Sequence, residues 1–202
     1  MRLLVFAALL LPLVANAQSR DRIEGGDGPL YVGKSGRVGC YVYPEAVVLD
    51  GVRTAGDEWR VVVVKKLDLL ARDSLVSTAC DAPNQFETIF ERLVDYQEFF
   101  YGLRYPHLFI DFGSSPGDRH MEIIDVETEE IAYNDTYFSG RPIEMVRPGV
   151  IEFFVSMWPG EGRCPTIEGS TENHYGWEER LWMELATGEI LHTGETACSH
   201  RQ

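Results

Sequence analysis

HLFIDFGSSPGDRHMEIIDV, residues 107–126, decides the fold class. Two apolar runs, His107 to Phe112 and His120 to Val126, flank Gly113 to Asp118, a segment of Gly, Ser, Pro and Asp. Those residue types supply the fixed or positive φ angles that reverse a chain, so the stretch predicts a strand, a turn and a returning strand. The same pattern continues outward. Downstream, Ile131 to Phe138, Val150 to Met157, Leu181 to Leu185 and Glu189 to Thr196 read as strands. Upstream, Val38 to Tyr43 and Ala46 to Leu49 are separated by Pro44, and Asp50-Gly51 is a turn signal. Trp59 to Lys65 (WRVVVVK) carries four consecutive valines, which suits a strand covered on both faces. Leu67 to Leu75 fits either a turn of helix or a short strand. The expectation is a mainly β (α+β) protein built of antiparallel hairpins in one or two packed sheets.

One segment reads as a helix, near residues 84–101. Asn84 can cap it, with Glu87 three residues later as in a capping box. At a helical period Phe86, Ile89, Phe90, Leu93, Val94, Tyr96, Phe100 and Tyr101 share one face. Glu87, Glu91, Asp95 and Glu98 share the opposite one, and Gly102 is a natural stop. Like charges four apart weaken a helix by a few tenths of a kcal/mol each. The acidic stripe is therefore not a helix-forming device; it reads as a solvated face or as a contact surface for a basic partner.

Residues 124–131 (IDVETEEI) echo residues 183–190 (MELATGEI): both run apolar, acid, apolar, x, Thr, x, Glu, Ile. This resembles the hairpin of β-propeller blades, in which a strand ends in an acid and a Thr-Gly turn reverses it. The resemblance covers eight residues at each copy, and the first copy lacks the glycine. It admits a partial propeller as a variant of the β architecture; shared turn chemistry also accounts for it.

Residues 1–17 have the order of a cleaved signal peptide. Arg2 is the positive region, Leu3 to Val14 the apolar run, and Ala15-Asn16-Ala17 the small-residue cleavage site. The run falls short of the roughly 20 apolar residues a membrane span needs. Residues 18–29 (QSRDRIEGGDGP) read as a flexible lead-in, and residues 30–202 as one domain. A periplasmic or secreted location follows, without membrane insertion. In that compartment the four cysteines read as two disulfides, and Cys40–Cys80 with Cys164–Cys198 is the favoured pairing because each pair is nearest in sequence. Asn134-Asp135-Thr136 is a glycosylation sequon for a eukaryotic secretory route.

The chain carries 18 basic and 32 acidic residues. Loss of Arg2 with the signal leaves 17 against 32, a net −15. That balance disfavours nucleic acid and anionic membranes and suits a basic protein partner.

Catalytic signatures are sparse. The histidines, His107, His120, His174, His192 and His200, lack metal-ligand spacing. The cysteines lack the Cys-x-x-Cys of zinc or redox sites. No serine sits in Gly-x-Ser-x-Gly, and no Gly-rich loop precedes a helix. Hence no catalytic residue, metal or cofactor is assigned. Trp158 to Trp177 is about twenty residues with little periodicity, pinned by Cys164 and rich in aromatics, the pattern of a functional loop.

The leading expectation is an exported binding or inhibitory protein, of the kind that blocks a cell-wall hydrolase or neutralises an exported toxin. Its contact residues would be Glu87, Glu91, Asp95 and Glu98 on the helix, with Trp158, Glu161, Tyr175 and Trp177 at the loop. The alternatives are an exported glycan-directed hydrolase or carbohydrate-binding protein, using Glu161, Glu168 or Glu178 beside aromatic subsites, and a structural envelope component.

Overall fold

A computed structural model of the chain describes residues 21–35, 38–51, 60–66, 79–93, 97–113, 117–157, 164 and 175–200. The signal segment, Leu67 to Leu75, Asp95, and Trp158 to Trp177 up to residue 174 apart from Cys164 lie outside these residues.

The described chain is β throughout, apart from one 3-10 turn at Pro83–Gln85. The strands are β1 (Ile23–Glu24), β2 (Tyr31–Ser35), β3 (Val38–Val42), β4 (Ala46–Asp50), β5 (Arg60–Lys66), β6 (Thr88–Leu93) and β7 (Glu98–Arg104). They continue as β8 (His107–Phe112), β9 (Asp118–Asp125), β10 (Ile131–Phe138), β11 (Ile143–Arg147), β12 (Val150–Ser156), β13 (Tyr175–Glu184) and β14 (Ile190–His200). They form three sheets, where one or two were expected: β2-β3-β4-β5-β6, β7-β8-β9-β10, and β1-β11-β12-β13-β14. Apart from β1, which pairs parallel with β11, every sheet is an antiparallel meander of consecutive strands. Such short-range pairing follows from the turn signals between the runs.

The stack explains the apolar richness of residues 107–126. On β8, Leu108 and Ile110 pack with Tyr41, Val48, Val64 and Phe90 of the first sheet. Phe109, one residue along, packs with Ile151, Phe153, Leu181 and Met183 of the third. Successive strand residues point to opposite faces, so the middle sheet buries both sides and its strands lose the polar alternation of a half-solvated sheet. The first sheet also has a covered outer face. Val42, Val47 and Leu49 lie under Ala79 and Cys80, held there by the Cys40–Cys80 disulfide. The second disulfide ties Cys164, between β12 and β13 in the chain, to Cys198 on β14.

The expected helix is absent. Residues 88–93 and 98–104 are strands β6 and β7, in different sheets. Asn84 sits inside the 3-10 turn rather than capping a helix, and Phe86 already has extended backbone. Thr, Ile and Phe of TIFERL and the Phe-Phe-Tyr of β7 are strand formers. Their local order obeys a period of two as well: Phe90 buried, Glu91 exposed, Arg92 half-buried, Leu93 exposed. Two short strands in succession mimic a 3.6 period when read as one window.

The N-terminal segment also departs from expectation. Residues 21–24 of the supposed flexible lead-in form a strap. Ile23 is buried and pairs with Ile143. Arg22 N–H donates to Tyr101 O at 2.8 Å. The Asp21 carboxylate accepts from Tyr43 OH at 2.7 Å and from Arg104 Nη1 at 2.9 Å. One short segment thus touches all three sheets.

Candidate binding site

The strap and the turns of all three sheets meet at one end of the molecule. The turn between β7 and β8 is Tyr105-Pro106, and Pro106 O accepts from Val126 N–H at 3.0 Å, which seats the β9–β10 hairpin beside it. The β13–β14 hairpin is seated on the β11–β12 turn by Leu185 N–H donating to Gly149 O at 2.8 Å. In the β3–β4 turn, Tyr43 N–H donates to Ala46 O at 2.8 Å, and Glu45 stands at the tip.

Between these turns lies a cleft of about 480 Å³. Arg104 forms its floor. This buried guanidinium donates through Nη2 to Ile23 O at 2.7 Å and Gly25 O at 3.0 Å, and through Nη1 to Leu103 O at 2.8 Å. Gly26 closes over it with φ 68°, and a Cβ there would stand 3.1 Å from Met145 Cγ and 3.3 Å from Arg104 Nε. Only glycine fits both the backbone angle and the approach. Met145 and Pro148 supply an apolar wall, with Tyr105, Glu45, Asp27 and exposed Arg147 at the mouth.

The rim is acidic. The Tyr105 phenol donates to Glu127 Oε1. Its pKa is pushed up, first by burial, then by that bond and by the charges of Glu127, Asp125 and Glu45. Three carboxylates thus act on one phenol. Glu129, Glu130, Glu184 and Glu189 stand exposed on the two hairpins. Behind them His107 is buried and its pKa is lowered, chiefly by desolvation, against the raising charge of Asp125. Carboxylates around a phenol, beside an apolar-walled cleft, are equipped to receive an ammonium or guanidinium side chain. Among the described residues no three His, Cys, Asp or Glu side chains group to hold a metal ion.

The residues expected to bind a partner are scattered. Glu87 is exposed before β6, its carbonyl accepting from Lys66 N–H at 3.1 Å. Glu91 is exposed on β6, opposite Val63. Glu98 is half-buried on β7, 3.5 Å from Arg92. Arg92 and Glu91 point to opposite faces of β6, so no acidic stripe joins Glu91 to Glu98. Asp95, Trp158 and Glu161 lie outside the described residues. Tyr175 opens β13 opposite His200, and half-buried Trp177 pairs with Cys198. Strand β12 runs from Val150 to Ser156, roughly 20 Å at 3.3 Å per residue, so Trp177 lies at the end of its sheet remote from the acidic turns. Sequence reasoning missed Tyr105, Glu45, Arg104 and the cleft. The echo at 124–131 and 183–190 was the available signal, since it marks two acid-bearing hairpins.

Comparison of the chain with protein-family models, with curated proteins and with solved structures finds no match.

Proposed function

We propose that this protein is an exported binding or inhibitory protein that engages a basic envelope-acting hydrolase or toxin. The contact is the acidic turn end, where the carboxylates beside Tyr105 take a basic side chain of the partner. The observation that carries this reading is Tyr105, which lines the cleft beside Glu45 and donates its phenol proton to Glu127 on the adjoining hairpin. Two disulfides agree with an oxidising compartment, and no helix among the described residues is long and apolar enough to cross a membrane. A net charge of −14 speeds encounter with a cationic partner. The test is capture from the exported protein fraction of the source on immobilised protein, at low and high salt. Retention of a basic hydrolase or toxin at low salt, with inhibition of its activity, supports the reading; an empty low-salt eluate overturns it.

A second reading, glycan binding, is favoured by one observation. On the outer face of the third sheet, half-buried Trp182 donates through Nε1 to Glu152 Oε2 at 2.8 Å, beside exposed Leu191 and Arg180. An indole held by a carboxylate on an open sheet face suits stacking on a sugar ring. Binding on a glycan array that Trp182→Ala removes would favour it over the first.

A further inference from the structure

We propose that a second cleft, on the other side of the N-terminal strap, binds a small oxyanion, a phosphate or a carboxylate, through Arg22 and Arg141. The cleft is about 390 Å³ and lies between β1, Tyr101 and the turn at residues 139–142. In a chain with 32 acids and 18 bases, two arginines line one depression.

Each arginine is paired with a buried carboxylate, Arg22 with Asp111 and Arg141 with Glu178, and each keeps guanidinium nitrogens beyond that pairing. The Arg22 side chain is 55% exposed and lies over the Tyr101 ring, 5.9 Å from its centroid. Its nearest carboxylate, Asp111, is 3.9 Å away. Asp111 is fully buried and is matched without Arg22: Arg119 Nη2 stands 2.7 Å from it, and Tyr137 OH donates to it at 2.9 Å. Arg22 is therefore surplus to the buried pair. Arg141 makes its contacts through Nε, 3.4 Å from Glu178 and 3.2 Å from Ser199 Oγ. Its guanidinium lies 4.4 Å from the Phe154 ring centroid. The side chain is one-third exposed.

Two carboxylates also line this cleft. Asp21 is committed to Arg104 and Tyr43, and Glu24 is exposed on the rim. An oxyanion entering here gains charge-assisted hydrogen bonds from the guanidinium nitrogens that these pairings leave free.

The experiment is an NMR titration of the purified protein with inorganic phosphate and, separately, acetate, against sodium chloride at matched ionic strength. Saturable shifts of the Gly140 amide and of the Arg22 and Arg141 Nε–H signals are expected with phosphate, acetate or both, and none with chloride. Arg22→Gln, on an exposed side chain, should weaken binding about tenfold or more, while Arg147→Gln at the other cleft should leave it unchanged. Shifts that grow linearly without saturation, or saturation that persists unaltered in Arg22→Gln, would overturn the proposal.

Discussion

Glu129 and Gly188 occupy the same place in two equivalent turns, with φ 63° and 69°. In the first hairpin Asp125 N–H donates to Glu130 O at 2.9 Å and Glu129 N–H to Asp125 O at 2.8 Å. In the second, Glu184 N–H donates to Glu189 O at 3.0 Å and Gly188 N–H to Glu184 O at 2.8 Å. Thr128 and Thr187 each accept from the amide two residues on. The eight-residue echo is thus one turn built twice, and Glu129 holds a left-handed angle that glycine holds without strain. Glu129→Gly is expected to stabilise the protein by about 0.5–1 kcal/mol. Gly188→Ala is expected to destabilise it by about 1–2 kcal/mol, since its Cβ would also stand 3.1 Å from Ala132 O. Urea denaturation of the two variants checks both signs.

Arg104 is the residue that fastens the strap. Its removal leaves the Asp21 carboxylate, 3% exposed, without its cation and two strap carbonyls without their donor. Arg104→Met should cost about 3–5 kcal/mol. The loss should appear first as faster hydrogen exchange at the Ile23 amide, ahead of the middle sheet. Equal loss everywhere would mean the strap is not a separate unit.

Acid should weaken the fold through His107. Burial holds its folded pKa below 6.5, so as pH falls through 6.5 the unfolded chain takes up a proton that the folded ring refuses. Stability from this group is full above pH 6.5 and declines toward the folded pKa. Asp111 works in the opposite direction: burial first raises its folded pKa above 3.8, so its contribution falls as pH rises above that value. Comparing His107→Gln with wild type across pH 7.5 to 5, roughly the span in which histidine titrates, isolates the histidine. The variant should lose part of the acid sensitivity.

The two disulfides close 40- and 34-residue separations, and each is expected to contribute about 3–4 kcal/mol by restricting the unfolded chain. Reduction should lower the denaturation midpoint in two separable steps when Cys40→Ser/Cys80→Ser and Cys164→Ser/Cys198→Ser are compared. Intact mass should stand about 4 Da below the reduced value, since each bridge removes two hydrogens.

Strands bounded by turn chemistry were legible in the sequence. HLFIDF is β8, AVVL lies in β4, and IAYNDTYF is β10 with the same ends. The pairing of cysteines by nearness was legible too. Residues 84–101 misled because aromatics recurring three and four apart also fit two short strands, and only the sheet each joins separates the readings. The number of sheets was hidden because burial on both faces of Leu108 to Ile110 requires a third layer that no local pattern names. The cleft was hidden for a related reason. Gly26, Glu45, Tyr105 and Arg147 come from four segments spread over more than half the chain, and nothing in their local sequence marks them as neighbours.

Binding of a basic partner at the acidic turn end is tested by comparing two immobilised proteins. Wild-type protein and the Glu45→Gln/Glu127→Gln/Glu130→Gln variant are immobilised side by side and exposed to the same exported fraction at low salt. Wild type is expected to retain a basic hydrolase or toxin which the variant releases, with the difference vanishing at high salt. Equal retention by both would contradict it and return the contact to another face.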